Sequence, residues 1–338
     1  ISRLCKTLSE PRGDLAKNLF GKAPGADLKA LGYEELLTGL NHAEVSLKRW
    51  KKDPGKKPHI SIQGLWVQIV NLDRPFIVDS VLDEITAQGL SADLVMHPVV
   101  TQNGENLSLV QVHLKALDAQ TTEELRAGLE DTLRDTNRVV ADWEAMHRRV
   151  TDTIESFKTG LPKGINQQDQ REAIAFLEWL TDNHFIFMGL RHYIYEGTPK
   201  KGGLRASDEP GLGLLTNPDM HVLRDVTTLV TMSPEIRAFL TSNAPLIITK
   251  AGVRSRVHRR AYMDYIGIKL FDTNGHLTGE LRVIGLFTSN VYNQSVLRIP
   301  LLRRKVNAII ADAGLKHSSY SGKALLNILD TYPRDDLF

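Results

Sequence analysis

The chain has 338 residues, 42% of them hydrophobic and 24% charged, which is enough apolar material for two ordinary globular domains. Its 42 basic residues nearly balance its 40 acidic ones, which argues against a dedicated nucleic-acid-binding protein. No apolar run is long enough to cross a bilayer, and a single cysteine, Cys5, excludes an internal disulfide and indicates a reducing, cytoplasmic compartment. The first residues, which lack an initiator methionine, and the Asp335-Asp336 pair at the end lead us to expect a piece of a longer protein.

Residues 1–57 are expected to form a helical segment that ends in a basic linker. Ser9 is a typical helix cap, Pro11 fits a first helical turn, and apolar residues recur at helical spacing up to Trp50. Six Lys and Arg residues surround Pro54 and Gly55. We interpret this stretch as a solvated helix end followed by a linker, because cations favour the C-terminus of a helix.

Residues 58–158 are expected to form one domain with the element order β-α-β-β-α. A strand over residues 60–70 is followed by an amphipathic helix that ends at Gly89. Two further strands flank the Asn103-Gly104 turn, and a long helix then reaches about residue 157. This order lacks only a last strand to be the split β-α-β unit of ferredoxin-like folds, so the predicted class is α+β.

After a polar linker at residues 159–169, residues 170–315 are expected to form a mostly antiparallel α+β domain. Two apolar alternations predict adjacent hairpin strands, each with one buried face; they comprise Ile266, Ile268 and Leu270, and Leu281, Val283 and Gly285. A short helix is expected at residues 234–240. Residues 316–338 are expected to begin a helical connector to a further part of the protein.

The corner where the first strand of the β-α-β-β-α domain meets its helix is a candidate effector site. Free backbone N–H groups at such a corner could meet a small acidic or zwitterionic ligand, and the candidate residues are Asn71, Asp73, Arg74 and Phe76. Against this stands the ring of Phe76, because burying an aromatic side chain contributes about 1.5–3 kcal/mol and packing alone would explain it. We therefore predict that the corner is structural.

A basic loop in the second half of the chain is a candidate anion site or a surface for an acidic partner. Its residues are Lys250, Arg254, Arg256, His258, Arg259 and Arg260. A solvated hairpin loop is the simpler interpretation, and both interpretations remain open. The 11 histidines show no metal-ligand spacing, and no nucleophile motif or dinucleotide loop is present, so we expect no catalytic residue, metal or cofactor in this segment and neither nucleic acid nor membrane as a partner.

The stretch Asn71-x-Asp73-Arg74-Pro75, an amphipathic helix and two strands together resemble an ACT domain, a ferredoxin-like regulatory module that senses amino acids. Five segments resemble, in order, the N-terminal region of the very large bacterial NAD-dependent glutamate dehydrogenases. They are residues 67–100, 184–196, 258–272, 300–315 and 322–338. This resemblance covers the chain from about residue 60 to its end.

The resemblance implies ACT-like modules followed by a PAS-like domain, in an oligomeric enzyme that oxidatively deaminates glutamate to 2-oxoglutarate and ammonia with NAD. It places the chemistry downstream, so this segment is expected to be regulatory or architectural, with the catalytic part of the same chain as its partner and an amino acid as a possible effector. One position departs from the family, because Phe76 stands where amino-acid-binding ACT domains carry glycine. The alternative is a free-standing ACT-type protein that senses amino acids and regulates a partner.

Overall fold

The computed structural model describes residues 9–52, 57–160, 164–197, 203–217, 220, 222, 238, 242–272 and 274–337. Its internal contacts divide the chain into two compact units. Unit 1 comprises residues 1–140 together with residues 256–260, and unit 2 comprises residues 141–255 and 261–338. Each unit contains helices and an antiparallel sheet, which confirms the α+β class. Among the described helices, none combines the length and the apolar composition that crossing a membrane requires.

Unit 1 begins with two helices, α1 (Glu10–Phe20) and α2 (Gly25–Lys52). Gly32 interrupts α2 with a φ of 81°, a left-handed conformation that glycine adopts at no steric cost. Leu36, Leu40 and Ala43 follow the break at helical spacing and are buried. This spacing gives α2 one apolar face, which packs on the sheet of unit 1.

The sheet of unit 1 contains a hairpin where the sequence predicts one strand. Residues 60–70 form parts of two antiparallel strands, with Ile62 opposite Val67, because Gly64 adopts a φ of 56° and lets the chain reverse. The prediction of a single strand is therefore wrong, and the extra strand pairs at the edge of the sheet. The strands are β1 (His59–Gln63), β2 (Trp66–Leu72), β3 (Ala92–Met96), β4 (Val99–Gln102) and β5 (Glu105–Leu114), in the order β1-β2-β5-β3 with β4 also paired to β5.

Helices cover both faces of this sheet. Because side chains alternate along a strand, Trp66 and Val70 pack against α1 and α2, whereas Val67 and Ile69 pack on the opposite face. That opposite face is covered by α3 (Ile77–Ala87) and by the first half of α4 (Ala119–Thr159). Unit 1 is therefore a three-layer arrangement with a core on each side of its sheet.

Unit 2 contains one antiparallel sheet in the order β7-β6-β11-β10-β9, with β8 also paired to β6. Ile266 lies opposite Val283 and Ile268 opposite Leu281, which confirms the predicted antiparallel hairpin. Of the short helix expected at residues 234–240, all but Ala238 lie outside the described residues. The strands are β6 (Phe185–Glu196), β7 (Gly203–Ala206), β8 (Leu212–Gly213), β9 (Leu246–Arg254), β10 (Tyr262–Phe271) and β11 (Leu277–Phe287).

Helices of unit 2 pack on one face of this sheet. Phe176 and Leu177 of the helix α5 bury the apolar face that carries Ile266 and Val283. The opposite face is also buried, since Glu280 is 0% exposed, so the expectation of a single buried face is wrong there. The elements are α5 (Gln167–Trp179), a π-type turn (Leu180–His184), two 3-10 turns (Leu214–Thr216 and Val296–Arg298), α6 (Ser289–Asn293), α7 (Leu302–Asp312), α8 (Tyr320–Thr331) and α9 (Arg334–Leu337).

Candidate functional site

Two of the four candidate residues at the strand-to-helix corner bind the backbone or side chain of α4. Asn71 is 3% exposed, and its amide exchanges two hydrogen bonds with the amide of Asn137, at 3.1 and 3.0 Å. Arg74 Nη1 donates to the main-chain oxygen of Asn137 at 2.8 Å. These contacts join the end of β2 to α4, so both side chains already have partners within unit 1.

Asp73 ends a short chain of hydrogen bonds. Ser108 Oγ donates to Asp73 Oδ1 at 2.7 Å, and His97 Nε2 lies 2.8 Å from the same hydroxyl. Burial lowers the pKa of His97, although the nearby Asp73 carboxylate acts in the opposite direction. Here Ser108 lies between His97 and Asp73. In a catalytic triad the histidine lies between the serine and the carboxylate and accepts the serine proton. The arrangement orients Asp73 and does not activate a nucleophile.

Phe76 lies at the first turn of α3 with a φ of 69°. This left-handed conformation costs a residue other than glycine about 1–2 kcal/mol. The Phe76 oxygen accepts hydrogen bonds from the Ser80 backbone N–H at 3.0 Å and from Ser80 Oγ at 2.6 Å. Its half-buried ring lies 5.2 Å from the imidazole of His258, measured between ring centres. The backbone thus adopts the conformation typical of glycine although the residue is phenylalanine.

Part of the basic loop lies beside this same corner, within unit 1. The His258 backbone N–H donates to Ser80 Oγ at 2.8 Å, and His258 Nδ1 lies 3.2 Å from the Asp79 carboxylate. Arg256 forms an ion pair with Asp131 at 2.8 Å. The two candidate sites predicted from the sequence therefore meet around the first turn of α3.

Arg260 makes the most buried of these contacts. Its guanidinium pairs with the carboxylate of Glu84, which is 4% exposed, and its backbone N–H donates to Asp83. Thr132 Oγ1 donates to the same Glu84 carboxylate at 3.1 Å. Because Glu84 is buried, Arg260 supplies the counter-charge that a buried carboxylate requires.

Two residues of the basic loop, Lys250 and Arg254, belong to unit 2. In unit 2, Lys250 pairs with Asp264 at 2.6 Å and Arg254 lies over the ring of Tyr262 at 4.8 Å. The Arg259 backbone N–H donates to the Val257 oxygen at 2.9 Å. Five of the six side chains thus contact carboxylates or an aromatic ring of the same chain; they are those of Lys250, Arg254, Arg256, His258 and Arg260.

Sequence reasoning missed the acidic residues that receive the basic loop. Asp79 and Asp83 are one helical turn apart on α3, a spacing visible in the sequence, but nothing local connects them with residues 256–260. Burial acts to raise the pKa of Asp131, yet hydrogen bonds from Arg134 and Arg256 outweigh it and hold that pKa below its ordinary value. Within the described residues, no group of three His, Cys, Asp or Glu side chains could hold a metal ion.

Comparison with known families accounts for both ends of the chain. Residues 16–134 match the ACT1 domain of glutamate dehydrogenase, and residues 299–338 match helical motif 1 of glutamate dehydrogenase. The ACT1 match begins within α1 and ends within α4, so it includes both helical layers that cover the sheet of unit 1.

Individual relatives extend this similarity through most of the chain. The NAD-specific glutamate dehydrogenase of Pseudomonas aeruginosa is 30% identical over 302 residues, which cover 80% of this chain and 18% of the relative. This chain belongs to the NAD-specific glutamate dehydrogenase family. The enzyme of Halomonas elongata is 29% identical over 294 residues, which cover 81% of this chain and 18% of the relative. The enzyme of Mycobacterium tuberculosis is 26% identical over 224 residues, which cover 66% of this chain and 12% of the relative. The chain therefore spans less than a fifth of the length of these relatives.

Proposed function

We propose that this chain is the regulatory and assembly segment of an oligomeric, cytoplasmic enzyme that oxidatively deaminates L-glutamate to 2-oxoglutarate and ammonia with NAD. The observation that carries the proposal is the pair of matches to glutamate dehydrogenase modules, the ACT1 domain and helical motif 1. The names of the relatives, all NAD-specific glutamate dehydrogenases, support NAD as the cofactor of the whole enzyme. In this proposal the nicotinamide chemistry belongs to the downstream part of the same protein.

The detailed fold assignment is part of this proposal. We assign residues 58–158 to a ferredoxin-like ACT module, which the order β1-β2-β5-β3 supports because β1 supplies an edge strand beside β2. We assign residues 170–315 to a PAS-like domain, which the antiparallel order β7-β6-β11-β10-β9 supports. Residues 1–57 act as a helical segment and linker, residues 159–169 as a linker between the domains, and residues 316–338 as the beginning of a connector.

The proposal is tested with the full-length gene product. The purified full-length protein should produce NADH from glutamate and NAD. The reading frame that encodes it should continue far beyond Phe338. A reading frame that stops soon after Phe338 would contradict the proposal and support a free-standing amino-acid-sensing protein. An inert full-length product would contradict it as well.

Within this function we propose that the corner formed by Asn71, Asp73, Arg74 and Phe76 couples elements by packing and does not bind an effector. The hydrogen bonds of Asn71 and Arg74 to Asn137 support this role, because they occupy polar groups that a ligand would need. Titration of the chain with glutamate and aspartate should show no binding that Asp73→Ala removes. Binding at physiological concentrations that is lost in Asp73→Ala would overturn the assignment.

A further inference from the structure

Unit 2 contains a cavity of about 550 Å³ beside its edge strand β9. The cavity lies between β9 and the helices α5 and α7, and its walls are mostly apolar. Ala173 of α5 and Ala308 of α7 leave room there because their side chains are small. Leu246 and Ile248 of β9 form the opposite wall. This volume accommodates a small metabolite with an apolar side chain.

The backbone of β9 offers both hydrogen-bond donors and acceptors to this cavity. Lys269 donates its backbone N–H to the Pro245 oxygen at 3.0 Å, so the main chain of residue 245 faces β10. Because the main-chain groups of an antiparallel strand alternate in direction, those of Leu246 and Ile248 face away from β10, toward the outer side of β9. Within the described part of the chain, these outward N–H and C=O groups have no hydrogen-bond partner.

One contact further along the same edge shows that β9 accepts a main-chain partner there. Gly252 lies further along β9, where the pairing with β10 shifts register. Its backbone N–H donates to the Val222 oxygen at 2.6 Å. Among the described residues, the edge is therefore occupied at Gly252, and none of them bonds to it where it borders the cavity.

Charged groups of both signs stand at the same cavity. The Asp169 carboxylate of α5 forms an ion pair with the Arg304 guanidinium of α7, and both side chains line the cavity. Lys305 lines it as well and donates from Nζ to the Leu337 oxygen at 3.1 Å. A ligand that carries one positive and one negative group would meet complementary charges here.

We propose that this cavity binds a free α-amino acid with an apolar side chain. The ligand adds to β9 as a one-residue strand: its ammonium group donates to the Leu246 oxygen, and its carboxylate accepts from the Ile248 N–H. Its side chain then packs beside Ala173 and Ala308. As an effector site this rests on the proposed regulatory function, and it places effector binding in unit 2 instead of at the strand-to-helix corner of unit 1.

Three matched ligands test the proposal by calorimetry on the whole 338-residue chain. L-leucine should bind, whereas 3-methylbutan-1-amine lacks the carboxylate and 4-methylpentanoate lacks the ammonium group. Each of these two should bind at least about tenfold more weakly, since each leaves a main-chain group of β9 unpaired. Absence of L-leucine binding at about 10 mM, well above the range of typical metabolite affinities, would overturn the proposal, as would equal affinity for all three ligands.

Two matched variants locate the binding. Ala308→Phe places a ring in the cavity and should weaken L-leucine binding by at least about tenfold through steric exclusion. Ala311→Phe adds the same ring to the same helix at an exposed position outside the cavity, and it should bind as the wild type does. Unchanged binding in Ala308→Phe would overturn the location. Because no readout here uses catalysis, failure of this inference is distinguishable from an inert full-length enzyme.

Discussion

Phe76 combines a side chain that packs with a backbone conformation that suits glycine. We expect Phe76→Gly to be more stable than Phe76→Ala by about 1 kcal/mol, because both variants lose the ring and only glycine relieves the left-handed φ of 69°. Chemical denaturation of the two variants measures the difference. Higher stability of the alanine variant would show that the conformation stores no strain.

Val78 provides the matched control for this comparison. It lies two residues further along, within α3, where the backbone is an ordinary right-handed helix. There the order should reverse, with Val78→Gly less stable than Val78→Ala by about 1 kcal/mol, because glycine is the weaker helix former. Opposite signs at the two positions would separate backbone strain from the general effect of glycine.

His42 is a buried histidine whose protonation opposes folding. Its Nε2 lies 2.7 Å from Ser61 Oγ, and burial, helped by the charges of His59 and Arg49, lowers its pKa from 6.5 to about 4. The folded state therefore binds fewer protons than the unfolded state between these two values. Stability should be full above pH 6.5 and should fall as the pH drops toward 4, by on the order of 3 kcal/mol from this group.

The His42→Gln variant isolates this contribution. Glutamine keeps a group that can hydrogen bond with Ser61 but does not titrate. Denaturation at a series of pH values should therefore show a smaller loss of stability in the variant between pH 6.5 and 4. Identical pH dependence in the two proteins would mean that His42 is protonated as easily in the folded state as in the unfolded state.

At the scale of elements, the approach of α3 to α4 depends on Gly128. A Cβ atom at this position would overlap the side chains of Glu84 and Gln88. Gly128→Ala should destabilise the protein by about 1–3 kcal/mol, although alanine favours a helix, because Glu84 is held by Thr132 and Arg260 and cannot move freely. Denaturation of the single variants and of Gly128→Ala combined with Glu84→Ala tests the cause. Without the glutamate side chain the alanine should be neutral or stabilising.

Two ion pairs that residues 256–260 form with the helices α3 and α4 should differ in strength. Arg260→Met should cost about 1–3 kcal/mol, because it leaves the buried Glu84 carboxylate without its counter-charge. Arg256→Met should cost less than about 1 kcal/mol, because Arg256 and Asp131 are each about 40% exposed and water screens them. Equal losses in denaturation experiments would contradict this ranking.

At the scale of the whole molecule, the chain alone should neither bind NAD with micromolar affinity nor turn over glutamate. The reason is that the sequence contains no dinucleotide-binding loop and no candidate catalytic constellation. Calorimetry with NAD and an absorbance assay for NADH measure the two properties. Micromolar NAD binding, or NADH formation by residues 1–338, would contradict the proposal that the downstream part of the enzyme carries the nicotinamide chemistry.

The sequence by itself determined the features that depend on neighbouring residues. The alternation around Ile266 and Leu281 specified an antiparallel hairpin, because side-chain direction repeats every two residues along a strand. The stretch from Asn71 to Pro75 with its amphipathic helix indicated an ACT domain, and five segments taken together indicated the NAD-dependent glutamate dehydrogenase family. The same local reasoning failed at Gly64, because one glycine inside an apolar run signals a bulge as readily as a hairpin.

Only the tertiary structure decided which partners the polar side chains of these elements contact. Asn71 and Arg74 meet Asn137, and Arg260 meets Glu84, across large separations in sequence that no periodic pattern encodes. The same holds for the buried Glu280, which alternation alone would place on a solvated face, although it binds Arg282. A buried charge needs a specific partner, and the chain fold selects that partner among many residues of the same chemical type.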